Sequence, residues 1–127
     1  MSKPTVAIFG ASADRSKFGN KSVRAHLAAG YDVYPVNPKG GQIEGLDACT
    51  SIADVPAEHL DRVSLYLPPS VAIGILEQIA AKGCDQLWLN PGADSPELAA
   101  KAKSLGLNAI RGCSIVDLGL SPAQFGD

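Results

Sequence analysis

The sequence predicts a doubly wound, Rossmann-like α/β fold: a single domain, residues 1–127, with a five-stranded parallel sheet in the order 3-2-1-4-5. Three observations lead there. Short apolar runs alternate with longer stretches of helical period. Glycine or proline stands at most of the junctions. Short connections between alternating elements put helices on both faces of a parallel sheet.

The first strand is TVAIF, residues 5–9, an apolar run bounded by Pro4 and Gly10, as suits a strand buried on both faces. A helix follows over about 20–29, with Val23, Leu27 and Ala28 as its apolar side and Gly30 as its stop. DVYPVN, 32–37, is the second strand, and Pro35 makes it irregular or places it near an edge. Residues 38–60 form a mixed connection turned by three glycines. RVSLYL, 62–67, is the third strand, and the helix after it ends at Gly83, with Val71, Ile75 and Ile79 on one face. DQLWLN, 85–90, is the fourth strand. Ser95 then caps a helix with Pro96 at its first position and Leu98, Ala102 and Leu105 as its buried stripe. LNAIRG, 107–112, is the fifth strand, and the stretch CSIVDLGLSPAQFGD, 113–127, which includes the tail 117–127, has no strong period.

Composition narrows the function classes. The chain has 127 residues, 46% of them hydrophobic but only 6% aromatic, so its core is aliphatic. No segment approaches the ~18 unbroken apolar residues of a membrane span. The N-terminus lacks the features of a secretory signal, and the expectation is a cytoplasmic protein with no membrane partner. Cys49, Cys84 and Cys113 are odd in number and widely spaced, as reduced thiols are. With His26 and His59 they show no metal-ligand spacing, so no metal is expected. The net charge of −2 argues against a nucleic-acid partner. The charge is uneven, however. Residues 10–41 carry Arg15, Lys17, Lys21, Arg24 and Lys39 against Asp14 and Asp32, a local +3, which leaves −5 for the rest. A basic patch around a glycine loop suits a small anionic ligand.

In a doubly wound sheet the ligand sits beyond the carboxyl ends of the strands, where strand order reverses. By this numbering that is the crevice between the first and fourth strands, bordered by residues 10–19, 37–41, 67–70, 90–95 and 111–114. Gly10 permits a tight turn, and Ser12 with the N–H groups at the helix start can donate to phosphate oxygens. The dinucleotide pattern G-x-G-x-x-G is absent: Ala11 and Ser12 follow Gly10, and the next glycine is Gly19. An NAD site also places Asp or Glu after the second strand, on the ribose 2′-hydroxyl. Here that place holds Asn37, Pro38 and Lys39. Lysine there favours a phosphate on or near the ribose, as in NADP and coenzyme A. LPPS, 67–70, makes a stiff apolar ledge for an adenine or a pantetheine chain.

These segments resemble the CoA-binding domain family, the Rossmann-like module that also forms the N-terminal part of the succinyl-CoA synthetase alpha subunit. The resemblance rests on VAIFGAS leading to FGNK, GYDVYPVNPKG, EGLDACTSIADVP, LYLPPS, LWLNPGA and GLNAIRGCSIV, in order over about residues 5–116. It implies that Gly10, Ala11 and Ser12, with Arg15, Lys17, Phe18 and Gly19, line the pyrophosphate and adenosine end of coenzyme A. Asn37, Pro38 and Lys39 would close on the ribose 3′-phosphate. Leu67, Pro68 and Pro69 would pack on the adenine or the pantetheine arm, with Asn90, Pro91 and Gly92 bordering the same crevice. The family often shows an Arg-Cys pair after the last strand; here Gly112 separates Arg111 from Cys113.

No catalytic constellation emerges. Asp14 reads as a loop former, Asp94 as a helix-start residue, and no histidine is placed to activate Cys113. The expectation is a binding protein for CoA or acyl-CoA with a regulatory, sensing or carrier role, not an enzyme. The sequence leaves room for a protein partner that it does not identify. Two alternatives stand beside it: an NAD(P)-binding redox enzyme or sensor, and a ligand-free protein-interaction domain.

Overall fold

A computed structural model describes residues 3–126; residues 1, 2 and 127, the ends of the expected domain, lie outside the described residues. The main sheet contains β1 (Thr5–Phe9), β2 (Asp32–Val36), β5 (Arg62–Leu65), β6 (Gln86–Leu89) and β7 (Ala109–Arg111), all parallel. Its spatial order is β2-β1-β5-β6-β7. The connection after β2 holds a hairpin of β3 (Gln42–Ile43) and β4 (Leu46–Asp47), then a 3-10 turn at Ile52–Asp54.

This is the Rossmann-like arrangement, with one relabelling. Among the described residues, the position outside β2, where the third strand of such a sheet lies, is held only by a single parallel bridge between Val36 and Cys49. The strand beside β1 is therefore 62–65, not 85–90. The crevice opens between β1 and β5, because the chain crosses there from one half of the sheet to the other. Pro35 lies in the edge strand, and its carbonyl accepts from the Cys49 N–H at 2.8 Å.

The alternation of β1 divides the core. Ala7 and Phe9 face the larger cluster, with Val63, Leu65, Leu87 and Leu89. The helices α2 (Pro69–Ala72), α3 (Leu76–Lys82) and α4 (Pro96–Ser104) close that side. Ser95 caps α4, its hydroxyl accepting from the Leu98 N–H at 3.1 Å. Leu98 and Ala102 are fully buried and Leu105 half-buried. The helix expected after the third strand is interrupted by a 3-10 turn at Ile73–Ile75. Its tighter winding shifts the faces, so spacing counted at 3.6 residues fails. The buried positions are Ala72, Leu76 and Ile79, whereas Val71 is 52% exposed.

Val6 and Ile8 face the other side, with Val23, Val33 and Ile43. Helix α1 (Phe18–Ala28) covers it. The expected apolar side of α1 holds only at Val23; Leu27 and Ala28 are exposed. Half of the buried face is polar, with Asn20, Ser22 and His26 beside Gly19, Val23 and Ala25. The reason lies beneath it. Arg62 of β5 is buried there between the rings of Tyr31 and Trp88, at 5.5 and 5.1 Å from their centroids, and pairs with Asp117. A guanidinium taken out of water needs polar and aromatic neighbours. Asp117 ends α5 (Ser114–Asp117), a short helix in a region the sequence pattern gives no period.

Candidate functional site

A cleft of about 770 Å³ lies at the carboxyl ends of β1, β2, β5 and β6. Its lining brings together fourteen of the sixteen residues expected there: Gly10, Ala11, Ser12, Lys17, Phe18, Gly19, Asn37, Pro38, Lys39, Leu67, Pro68, Pro69, Pro91 and Gly92. Tyr66 and Ala93 line it as well. The sequence reading places Tyr66 inside the strand 62–67 and Ala93 in a turn; their neighbours Leu67 and Gly92, both expected in the cleft, were the available signal.

The first wall is the loop between β1 and α1. Gly10 has φ +78°, and a Cβ built on it would stand 2.6 Å from the Tyr66 carbonyl oxygen. Gly19, in the first turn of α1, would bring a Cβ to 2.1 Å from the Gly10 carbonyl oxygen. The two glycines thus let the loop, the helix start and β5 close on one another. Within the loop, Ser12 Oγ accepts from the Asp14 N–H at 3.0 Å, and Asp14 Oδ1 accepts from the N–H and hydroxyl of Ser16. The hydroxyl and N–H of Ser16 hold the Asp14 carboxyl below its usual range. Asp14 is therefore a loop former, as expected.

The second wall is the turn after β2. Asn37 Nδ2 donates to the Ala11 carbonyl at 2.9 Å, and its Oδ1 accepts from the Lys39 N–H at 2.9 Å. Asn37 thereby ties the turn to the first loop and leaves the Lys39 side chain in solvent. The opposite wall is Leu67 with Pro68 and Pro69, the last two opening α2.

Two expected lining residues stand elsewhere. Arg15 is turned away, its Nε 3.5 Å from Glu44 Oε2, because the carboxylate on the β3–β4 turn attracts it. Asn90 is fully buried under the floor. Its Nδ2 donates to Ser64 Oγ and the Leu65 carbonyl, both at 2.8 Å, and its Oδ1 accepts from the Ser114 N–H at 2.9 Å and hydroxyl at 3.1 Å. Asn90 locks β5, β6 and α5 together. Tyr66 joins this network, its hydroxyl 3.1 Å from Ser114 Oγ, and burial pushes its pKa up.

The electrostatics are one-sided. The lining contains Lys17, Lys39 and the start of α1, and no carboxylate among the described residues. A helix start and two ammonium groups favour an anion. Asp94, beside the cleft, pairs with Arg111 at 3.2 Å. Cys113 sits half-buried at the N-cap of α5, outside the lining. Cys84 is pushed up to about 11 by burial and by Asp85, which leaves it an unreactive thiol at neutral pH. Neither histidine reaches the cleft. His26 is buried on the inner face of α1, and His59 lies at the far end of the sheet. There His59 Nε2 stands 3.0 Å from Asp85 and 3.7 Å from Asp61, a gathering that sequence spacing did not reveal.

The chain resembles known proteins over most of its length. A family model described as "CoA binding domain" matches residues 4–119. Among curated proteins, a trans-feruloyl-CoA synthase from an unknown prokaryotic organism is 30% identical over 117 residues, 81% of this chain and 16% of that protein. The alpha subunit of an ADP-forming acetate–CoA ligase I from Pyrococcus furiosus is 33% identical over 85 residues, 62% of this chain and 18% of that subunit. The chain thus spans less than a fifth of the length of these relatives. Among solved structures, a conserved hypothetical protein from Pyrococcus furiosus superposes with a TM-score of 0.78 at 28% identity, covering 91% of this chain and 99% of that one. No described helix is long and apolar enough to cross a membrane.

Proposed function

The chain belongs to the CoA-binding domain family, and from that premise we propose that its cleft takes up coenzyme A or an acyl-CoA in a carrier, sensing or regulatory role, with no chemistry of its own. The observation that carries the reading is the division of the cleft wall. Lys39 follows β2 and the apolar ledge of Leu67, Pro68 and Pro69 follows β5, on opposite sides of β1, and Lys17 with the start of α1 completes the lining. Coenzyme A has the matching division, with three phosphates at one end and an uncharged arm at the other.

In this reading the N–H groups around Gly10, Ala11 and Ser12, with the α1 dipole, meet the pyrophosphate. Lys39 meets the ribose 3′-phosphate, and the ledge packs on the adenine or the pantetheine arm. Arg15 and Asn90 act at one remove, as loop and floor supports. The synthase and ligase activities of the relatives belong to those longer proteins. Against catalysis here stands the engagement of the nearest carboxylates, Asp14 by Ser16 and Asp94 by Arg111.

Calorimetric titration with CoA, dephospho-CoA and NADP tests the reading. Binding of CoA that weakens when the 3′-phosphate is missing supports it. Preference for NADP would move the assignment to a redox role, and failure of all three would move it to protein interaction.

A further inference from the structure

Helix α1 carries one side chain, Arg24, whose guanidinium joins its own helix to two other segments. Its Nε donates to Asn20 Oδ1 at 2.7 Å, and its Nη2 donates to the Arg15 carbonyl at 2.8 Å. Its Nη1 donates to the Gly126 carbonyl at 2.8 Å, and Nη2 reaches the Phe125 carbonyl at 3.4 Å. The Phe125 ring packs on the guanidinium, 5.8 Å from centroid to Cζ. Asn20, fully buried, extends the connection: its Nδ2 donates to the Ser12 carbonyl at 2.8 Å and to Glu44 at 3.1 Å. Ser12 lines the cleft. The C-terminal segment is a formed element. Ser121 and Gln124 make a reciprocal capping box around the turn Pro122–Gln124.

We propose that Arg24 is a positioning residue that couples the C-terminal segment 121–126 to the cleft loop 10–17, so that filling the cleft and docking that segment reinforce each other. The cleft's occupant is taken from the CoA reading above; the coupling of the two segments does not depend on it. The physical basis is the rigid fork of the guanidinium. Its donors lie in one plane, so acceptors from the tail on one edge fix the plane presented to Asn20 and Arg15 on the other. Removing the tail frees a long side chain to explore rotamers and releases the Ser12–Arg15 stretch from one of its supports. Linkage then requires the converse: a ligand that orders the loop also favours the docked tail.

The test is hydrogen exchange on the full chain, comparing wild type, Arg24→Ala and Phe125→Ala, with and without CoA. The diagnostic amides are Asp14, Ser16 and Lys17 in the loop, and Ala123, Gln124 and Phe125 in the tail. All are hydrogen-bonded in the folded state. Without ligand, both variants should speed exchange in both segments while β6 and β7 stay unchanged. Phe125→Ala is informative even if Arg24→Ala fails to fold, since it alters a tail residue, removes the ring from the guanidinium and leaves the Arg24 side chain and its donors in place. With CoA, wild type should gain protection at Ala123–Phe125, outside the cleft lining, and Arg24→Ala should lose that gain with about fivefold to tenfold weaker binding. Fraying of the tail in Phe125→Ala with the loop unmoved would overturn the coupling. If wild type does not bind CoA, the function fails, and the ligand-free comparison still decides the coupling. Arg24→Lys should not restore it, because one ammonium cannot span the same acceptors.

Discussion

Gly19 faces the backbone of Gly10 so closely that a Cβ at residue 19 would lie 2.1 Å from the Gly10 carbonyl oxygen. The start of α1 and the end of β1 can touch only because residue 19 has no side chain. Gly19→Ala must push the two apart, since the obstacle is backbone and cannot rotate away. The expected cost is at least about 2 kcal/mol of stability, as for overpacking at a rigid contact, with loss of CoA binding. Gly74→Ala is the control. Nothing lies within 4 Å of its Cβ, so urea unfolding should find it neutral or slightly stabilised. Equal destabilisation of both variants would rule out the close contact as the cause.

Lys39 gives the test of ligand identity. Its N–H is held by Asn37 while its ammonium is in solvent at the cleft rim. Lys39→Ala should therefore leave stability unchanged and weaken CoA by roughly 1.5–3 kcal/mol, tenfold to a hundredfold. Dephospho-CoA, lacking the 3′-phosphate, should bind both proteins alike in calorimetry. Equal weakening of both ligands would place Lys39 on the pyrophosphate instead.

Asn90 separates support from contact. Its carboxamide satisfies Ser64, Leu65 and Ser114 in a site without water access. Asn90→Ala leaves buried donors and acceptors unpaired and should cost roughly 2–4 kcal/mol in denaturant unfolding. Among molecules that remain folded, CoA affinity should change far less than in Lys39→Ala. A large affinity loss at unchanged stability would return Asn90 to the cleft wall.

The main strands were legible because each is a short apolar run closed by glycine or proline, and the cap at Ser95 was legible from its proline. The cleft was legible because the loops carrying Gly10, Lys39 and Pro68 follow strand ends, and topology brings strand ends together. Asn90 was misread because a buried carboxamide and a ligand-facing one occupy the same place in sequence; only Ser64 and Ser114, far along the chain, distinguish them. Arg62 gave no warning for the same reason, its partner Asp117 lying 55 residues away. Helix α5, four residues long, is too short to show a period. The single bridge at Cys49 carries no strand pattern at all, and it decides which strand neighbours β1 in the count.

His26 supplies a pH dependence with a definite sign. Its Nδ1 lies 2.9 Å from the Ser22 carbonyl and donates to it, which leaves Nε2 a buried acceptor with no partner among the described residues. Burial pushes the imidazole down to about 4; the Ser22 carbonyl works against this and the Arg62 guanidinium adds to it. Between about pH 6.5 and pH 4 the unfolded chain therefore binds a proton that the folded chain refuses. Stability from this group is complete above about pH 6.5 and is lost as pH falls to about 4, a change on the order of 3 kcal/mol. His26→Phe retains a ring against Tyr31, which the imidazole meets edge-on at 5.1 Å, and removes the titration. Urea unfolding at about pH 7 and about pH 4.5 should show a smaller loss of stability in the variant than in wild type, by most of that amount. Parallel losses in the two proteins would mean that the acid sensitivity belongs to other groups.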